Sequence, residues 1–261
     1  MTDLVRAEIR KVLTTRMLLG LTLGGIVLVA FYVTVIAFTA GSTRAGQSSL
    51  HSLSDPGSVR AVYGVPFEIG YLMPLLMGVI VVCSEYRHHT ISSTFLATPQ
   101  RGRVLIAKTL TALLVGLVMG LVLTVVAAGL GAVLVAARGY PVLLTSNGIP
   151  RILALMVAGL GIWAVFGLGF GALLKNQVAA ILTAIGLVTL VEGLLTLFLR
   201  WVHLGTIAKI LPSSASTAIV SPSTAKAGDL LPWWGGMIAL LAWGVAMALL
   251  GAAFTLHRDV T

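Results

Sequence analysis

The sequence predicts an all-α integral membrane protein with six transmembrane helices, and three observations predict it. Of its 261 residues, 58% are hydrophobic and only 10% are charged, too few polar groups to cover a soluble globular surface. The apolar residues gather in long, nearly charge-free runs, and mean hydropathy is +1.04. About 20 such residues cross a hydrocarbon layer of about 30 Å at a rise of about 1.5 Å each. The runs lack the period-two alternation of barrel strands, and backbone left unpaired in lipid is prohibitive, so the spans are helical.

One transmembrane domain over 1–261 is expected, with spans at about 17–43, 63–84, 109–137, 152–174, 178–199 and 232–256. An even number of spans puts both termini on one side of the membrane. Arg6, Arg10, Lys11 and Arg16 precede the first span while only Arg44 closely follows it, so that side is cytosolic. The inner segments then hold ten of the seventeen Lys and Arg. The net charge of +9 is thereby spread along the membrane borders, where it meets anionic headgroups. It is not gathered on one face as a nucleic-acid footprint requires, and no nucleic-acid partner is expected. The first run exceeds the h-region of a signal peptide, about 7 to 15 residues, and lacks a clean A-x-A site, so it is expected to stay as an anchor. The single cysteine, Cys83, excludes an intrachain disulfide and reads as a small apolar packer.

Taken in order, residues 1–16 place Val5, Ile9, Val12 and Leu13 on one helical side and Arg6, Arg10 and Lys11 among the others. That pattern suits an amphipathic helix in the headgroup plane. Residues 44–60 are rich in Ser and Gly, with a turn expected at Asp55-Pro56-Gly57. His51 and Asp55 lack a third ligand there, so no metal site is expected. Pro66 and Pro74 predict a kinked or broken second span. Glu68, near its outer end, should face protein or a water-filled cavity.

The longest polar interruption on the cytosolic side is the connector 84–108, SEYRHHTISSTFLATPQRGRVLIAK. Thr90 can cap a short helix carrying Ile91, Phe95 and Leu96, and Pro99 stops it. The spacing fits a docking helix or a solvated loop with an apolar patch. Further on, G-x-x-x-G pairs recur at Gly20 and Gly24, Gly116 and Gly120, and Gly167 and Gly171, a spacing that lets helices approach closely. Gly167, Gly169 and Gly171 mimic a phosphate loop, but no strand precedes them and close packing is expected. Lys175-Asn176-Gln177 should join spans four and five as a hairpin. Glu192, in the outer half of span five, is either a structural carboxylate or part of a translocation route. Residues 200–232 should form an outer hairpin with short helices near 206–211 and 214–220, broken by Pro212. Trp233 and Trp234 anchor the last span at its outer border.

Glu85, Thr90, Pro99, Arg101 and Lys108 together resemble the connector of permease subunits in type-2 ATP-binding-cassette exporters, although His89 stands where many relatives carry Gly. The resemblance extends to six spans, the amino-terminal elbow helix, the outer hairpin and the ending His257-Arg258-Asp259-Val260. It implies that the connector is a cytosolic coupling helix docking into a separate ATPase subunit through Glu85, Arg87, Thr90, Ile91, Phe95, Leu96, Pro99 and Arg101. It further implies a second permease copy or a related permease, two ATPase copies, and multi-pass residence in a bacterial plasma membrane. Glu68 and Glu192 become candidates for the substrate pathway.

Absences sharpen these expectations. The sequence has no G-x-x-x-x-G-K-[ST], so ATP and Mg are expected in the partner and no cofactor in this chain. It has no H-E-x-x-H, no G-x-S-x-G and no histidine inside a span, so it is not expected to be an enzyme. The leading expectation is an exporter subunit moving an amphiphilic drug, lipid or peptide outward. The alternatives are a secondary carrier or channel driven by an ion gradient and, behind it, a membrane-embedded enzyme.

Overall fold

The computed structural model describes residues 2–41, 52–87, 100–146, 148–174, 176–220 and 230–257. Every regular element among them is helical. A helix over Thr2–Thr14 precedes six helices long and apolar enough to cross a membrane. These are Arg16–Thr39, Pro56–Arg87, Arg101–Ala137, Ile149–Leu173, Gln177–Trp201 and Trp233–His257, named the first to sixth spans below.

The helices depart from the expected span ends for local reasons. The first stops at Thr39, where Ala40 turns extended and Gly41 takes φ +83°, the left-handed conformation that ends many helices. The expected turn at Asp55-Pro56-Gly57 is instead a helix start. Asp55 occupies the N-cap position and Pro56 the first helical turn, where its missing N–H costs nothing. Pro66 does not break the second span but opens a π-helical segment, Pro66–Gly70. Pro74 falls in the first turn of the next helix, Leu72–Arg87, and is tolerated there. The third helix begins at Arg101, well before Lys108. Between spans four and five, the Asn176 side chain caps the fifth helix, accepting from the N–H groups of Val178 at 2.9 Å and Ala179 at 3.2 Å.

The fourth span is the hub, packed against the second, third and sixth. The most apolar windows of the second and fourth spans are 72% buried, against 22% for the first and fifth, so the former make the core and the latter its flanks. Glycines permit this contact. A Cβ at Gly78 would run into the Ala164 carbonyl oxygen, one at Gly167 into that of Leu75, and one at Gly169 into that of Met247. The G-L-G-F-G run is thus a packing surface that turns Gly167 and Gly171 to the second span and Gly169 to the sixth. Gly116 and Gly120 meet the fourth span at Ala164 and Leu160, whereas Gly20 and Gly24 face open space. Trp163 is fully buried at the hub, its ring 4.6 Å from Tyr71 and 5.4 Å from Phe166. Cys83 is also buried, its Sγ beside the carbonyl oxygens of Gly171 and Leu174, and packs as a small apolar residue.

At the other end, Arg138 closes the third span by donating to the carbonyl oxygens of Ala37 and Ala40, which the end of the first helix leaves without intrahelical partners. The segment after the fifth span forms Gly205–Ala208 and Pro212–Val220. Pro212 begins the second of these helices instead of breaking it. Trp243 Nε1 donates to the Ile210 carbonyl at 2.8 Å. Ten residues separate Trp243 from the start of its helix, so the hairpin reaches about 15 Å along the sixth span.

Candidate functional site

Two turns into the third span, Lys108 is almost fully buried, and its Nζ lies 2.7 Å from Glu8 Oε2 and 2.7 Å from Glu85 Oε1. Lys11 closes the set, at 2.7 Å from Glu8 Oε1 and 2.9 Å from Glu85 Oε1. Glu8 and Lys11 are three residues apart on the amino-terminal helix, one helical turn, and so share a face. Glu85 sits in the last turn of the second span. Two carboxylates and two ammonium groups therefore alternate around one closed cluster joining three helices.

Burial alone would push the Glu8 carboxyl up, but Lys108 and Lys11 outweigh it and hold it below the usual carboxylate range. The Lys11 ammonium is held above its ordinary value, its bonds to Glu8 and Glu85 prevailing over burial. Lys11 is half exposed, but Glu8, Glu85 and Lys108 are buried, and these three are costly to leave uncompensated. Glu85 Oε2 is buried with no hydrogen-bond partner among the described residues.

The cluster locates both flanks of the candidate connector. Glu85 and Lys108 bracket it in sequence and are in direct contact in space. Arg87 ends the second span in an exposed position, and Arg101 begins the third. Thr90, Ile91, Phe95, Leu96 and Pro99 lie outside the described residues. Sequence reasoning singled out Glu85 and Lys108 but missed Glu8 and read Lys11 only as a basic flank. The available signal was an acidic residue three positions before a lysine on a predicted helix.

The two candidate pathway glutamates, Glu68 and Glu192, lie along the short helix Pro212–Val220. Glu192 is buried, and its Oε1 accepts from both the N–H and the Oγ of Ser213 at 2.6 Å. It thus caps that helix from the neighbouring span, satisfying a donor of the first turn. Its Oε2 has no partner among the described residues. The same helix is held by Trp163, whose Nε1 donates to Ser216 Oγ at 3.0 Å. Glu68 is exposed on the π-helical segment and lines a small cavity with Thr217 and Val220 near the end of the same helix. No hydrogen bond or ion pair joins Glu68 to Glu192 among the described residues. No group of three metal-ligating side chains occurs among the described residues either.

No protein-family model matches this sequence, and no curated protein matches it.

Proposed function

We propose that this chain is the permease subunit of an ATP-driven exporter, forming the substrate pathway and borrowing its energy from a separate ATPase. The observation that carries this reading is the Glu8–Lys11–Glu85–Lys108 cluster, in which Glu8, Glu85 and Lys108 are buried and Lys11 is half exposed. It clamps both ends of the 84–108 connector to each other and to the amino-terminal helix, so that a push on the connector moves two spans and the elbow as one body. Such rigid-body transfer is what a subunit driven from outside needs, because packed helices rearrange as units. The resemblance of the connector residues to a coupling helix supports the same reading. In it, Arg87, Thr90, Ile91, Phe95, Leu96, Pro99 and Arg101 meet the ATPase, and Glu85 serves the clamp behind them.

The exporter is a dimer of permeases, two copies of this chain or one with a relative, each carrying an ATPase that holds the ATP and Mg. The sparsely covered first and fifth spans, with Gly20 and Gly24 facing open space, are the surfaces available for that pairing. The cargo is amphiphilic and moves outward. The outer hairpin, held by Glu192 and Trp163 at its second helix and by Trp243 at Ile210, closes the exit.

The test is co-purification of the tagged chain from native membranes, with the co-purifying proteins examined for a P-loop ATPase. Binding is expected for the intact chain and lost on deleting residues 90–97; binding that survives the deletion overturns the coupling role. A carrier driven by an ion gradient is the second reading, favoured by the unpartnered buried oxygen of Glu192. It predicts transport that collapses with a protonophore and persists without ATP.

A further inference from the structure

The amino-terminal helix uses two faces. Glu8 and Lys11 turn to the ion cluster, while Ile9 and Leu13 border a groove that the fold leaves open. The opposite walls are Leu18 and Thr22 of the first span and Leu114, Val118 and Val122 of the third, enclosing about 330 Å³. The hydroxyl of Thr22 is bonded back to the Leu18 carbonyl at 2.8 Å, so the walls present no free hydrogen-bonding group to an occupant. Beyond Ile9, the groove continues into a second hollow of about 420 Å³ bordered by Val5, Arg6, Arg10 and Leu110. Arg6 and Arg10 are exposed, four residues apart on one helical face, and neither guanidinium has a partner among the described residues.

We propose that this groove binds an anionic phospholipid, its phosphate on Arg6 and Arg10 and an acyl chain along Ile9, Leu13, Leu114 and Val118. The dimensions fit. From Leu110 to Val122 the third span rises about 18 Å, close to the half-thickness of a hydrocarbon layer of about 30 Å. The polarity fits as well: the apolar trough ends at two unpaired planar cations, the side chains suited to bidentate phosphate binding. A zwitterionic lipid brings the same phosphate together with a cation that the two arginines repel. The bound lipid covers the side of the amino-terminal helix that the ion cluster leaves bare. The inference does not depend on an ATPase partner.

Native mass spectrometry of the full chain, delipidated in a non-ionic detergent, tests it with phosphatidylglycerol and phosphatidylcholine of identical acyl chains. Two basic residues near a membrane surface predict a preference of about thirtyfold for phosphatidylglycerol. Arg6→Gln with Arg10→Gln should abolish the preference, Arg200→Gln at the far end should leave it intact, and Val118→Trp should weaken retention of both lipids. Thermal midpoints serve as a second readout that does not need the variants, since phosphatidylglycerol but not phosphatidylcholine should raise that of the unmodified chain. Equal retention of the two lipids, an unchanged preference in the double variant, or a second copy of the chain occupying the groove in place of lipid overturns the proposal.

Discussion

Lys108 shows how a single side chain acquires meaning from its neighbours. Read along the chain it is a basic residue bordering a span, one of several. In the structure it is a buried cation between two carboxylates from other helices. Lys108→Met should therefore cost about 3 kcal/mol, the order found when one member of a buried ionic set is removed. Denaturant unfolding in detergent measures it, and adding Glu8→Gln to Lys108→Met should recover part of the loss because one uncompensated charge goes too. The acid response originates in Glu8. Its carboxyl is held below the ordinary value of about 4.3, so its contribution is complete above that value and disappears as pH falls through the lower, folded one. Lys11 works in the other direction: it is held above its ordinary value of about 10.4, and its contribution is complete below that value and is lost only as pH rises through the folded one. The thermal midpoint should thus be flat through neutral pH and fall in acid, and Glu8→Gln should flatten the acid limb. The spacing of Glu8 and Lys11 was legible, but neither could be matched to Glu85 or Lys108, because residues 8, 85 and 108 are brought together only by the packing of three helices.

At the scale of the element, composition identifies the helices and local chemistry positions their ends. Pro56 and Pro212 were both legible as punctuation, yet each starts a helix instead of interrupting the chain. Proline is compatible with a turn and with a first helical turn alike, and the residues on its carboxyl side decide between them. The short helix Pro212–Val220 is apolar on too few residues to stand by itself; Trp163 and Glu192 bond to it and the sixth span packs against it. Glu192→Ala removes a cap whose loss costs about 1 to 2 kcal/mol. Faster hydrogen exchange over residues 213–216, with the fifth span unchanged, is the expected result; equal exchange in both proteins would show that the cap is dispensable. The fourth span gives the complementary case. Gly167 and Gly171 were readable as a packing pair, and Gly171→Leu should force the second and fourth spans apart, lowering the yield of folded protein in detergent more than Gly20→Leu, which meets open space.

For the whole molecule, the six helices leave the first and fifth spans as uncovered flanks around a core of the second and fourth. Hydrogen exchange in detergent should be slowest in the fourth span, and cysteines placed at Ser92 and Asn176 should be labelled by an impermeant reagent from the opposite side to one placed at Ser48. Labelling of all three from one side would overturn the inside-out assignment made from Lys and Arg. The sequence alone determined that the chain is helical and apolar enough to cross a membrane six times, because run length and the absence of charge are properties of each segment separately. The tertiary structure alone decided which glycines meet carbonyl oxygens, that Glu192 caps the helix Pro212–Val220, and that Glu8, Lys11, Glu85 and Lys108 form one cluster. Such contacts depend on the distance and orientation between helices far apart along the chain, which hydropathy and spacing within a segment do not encode.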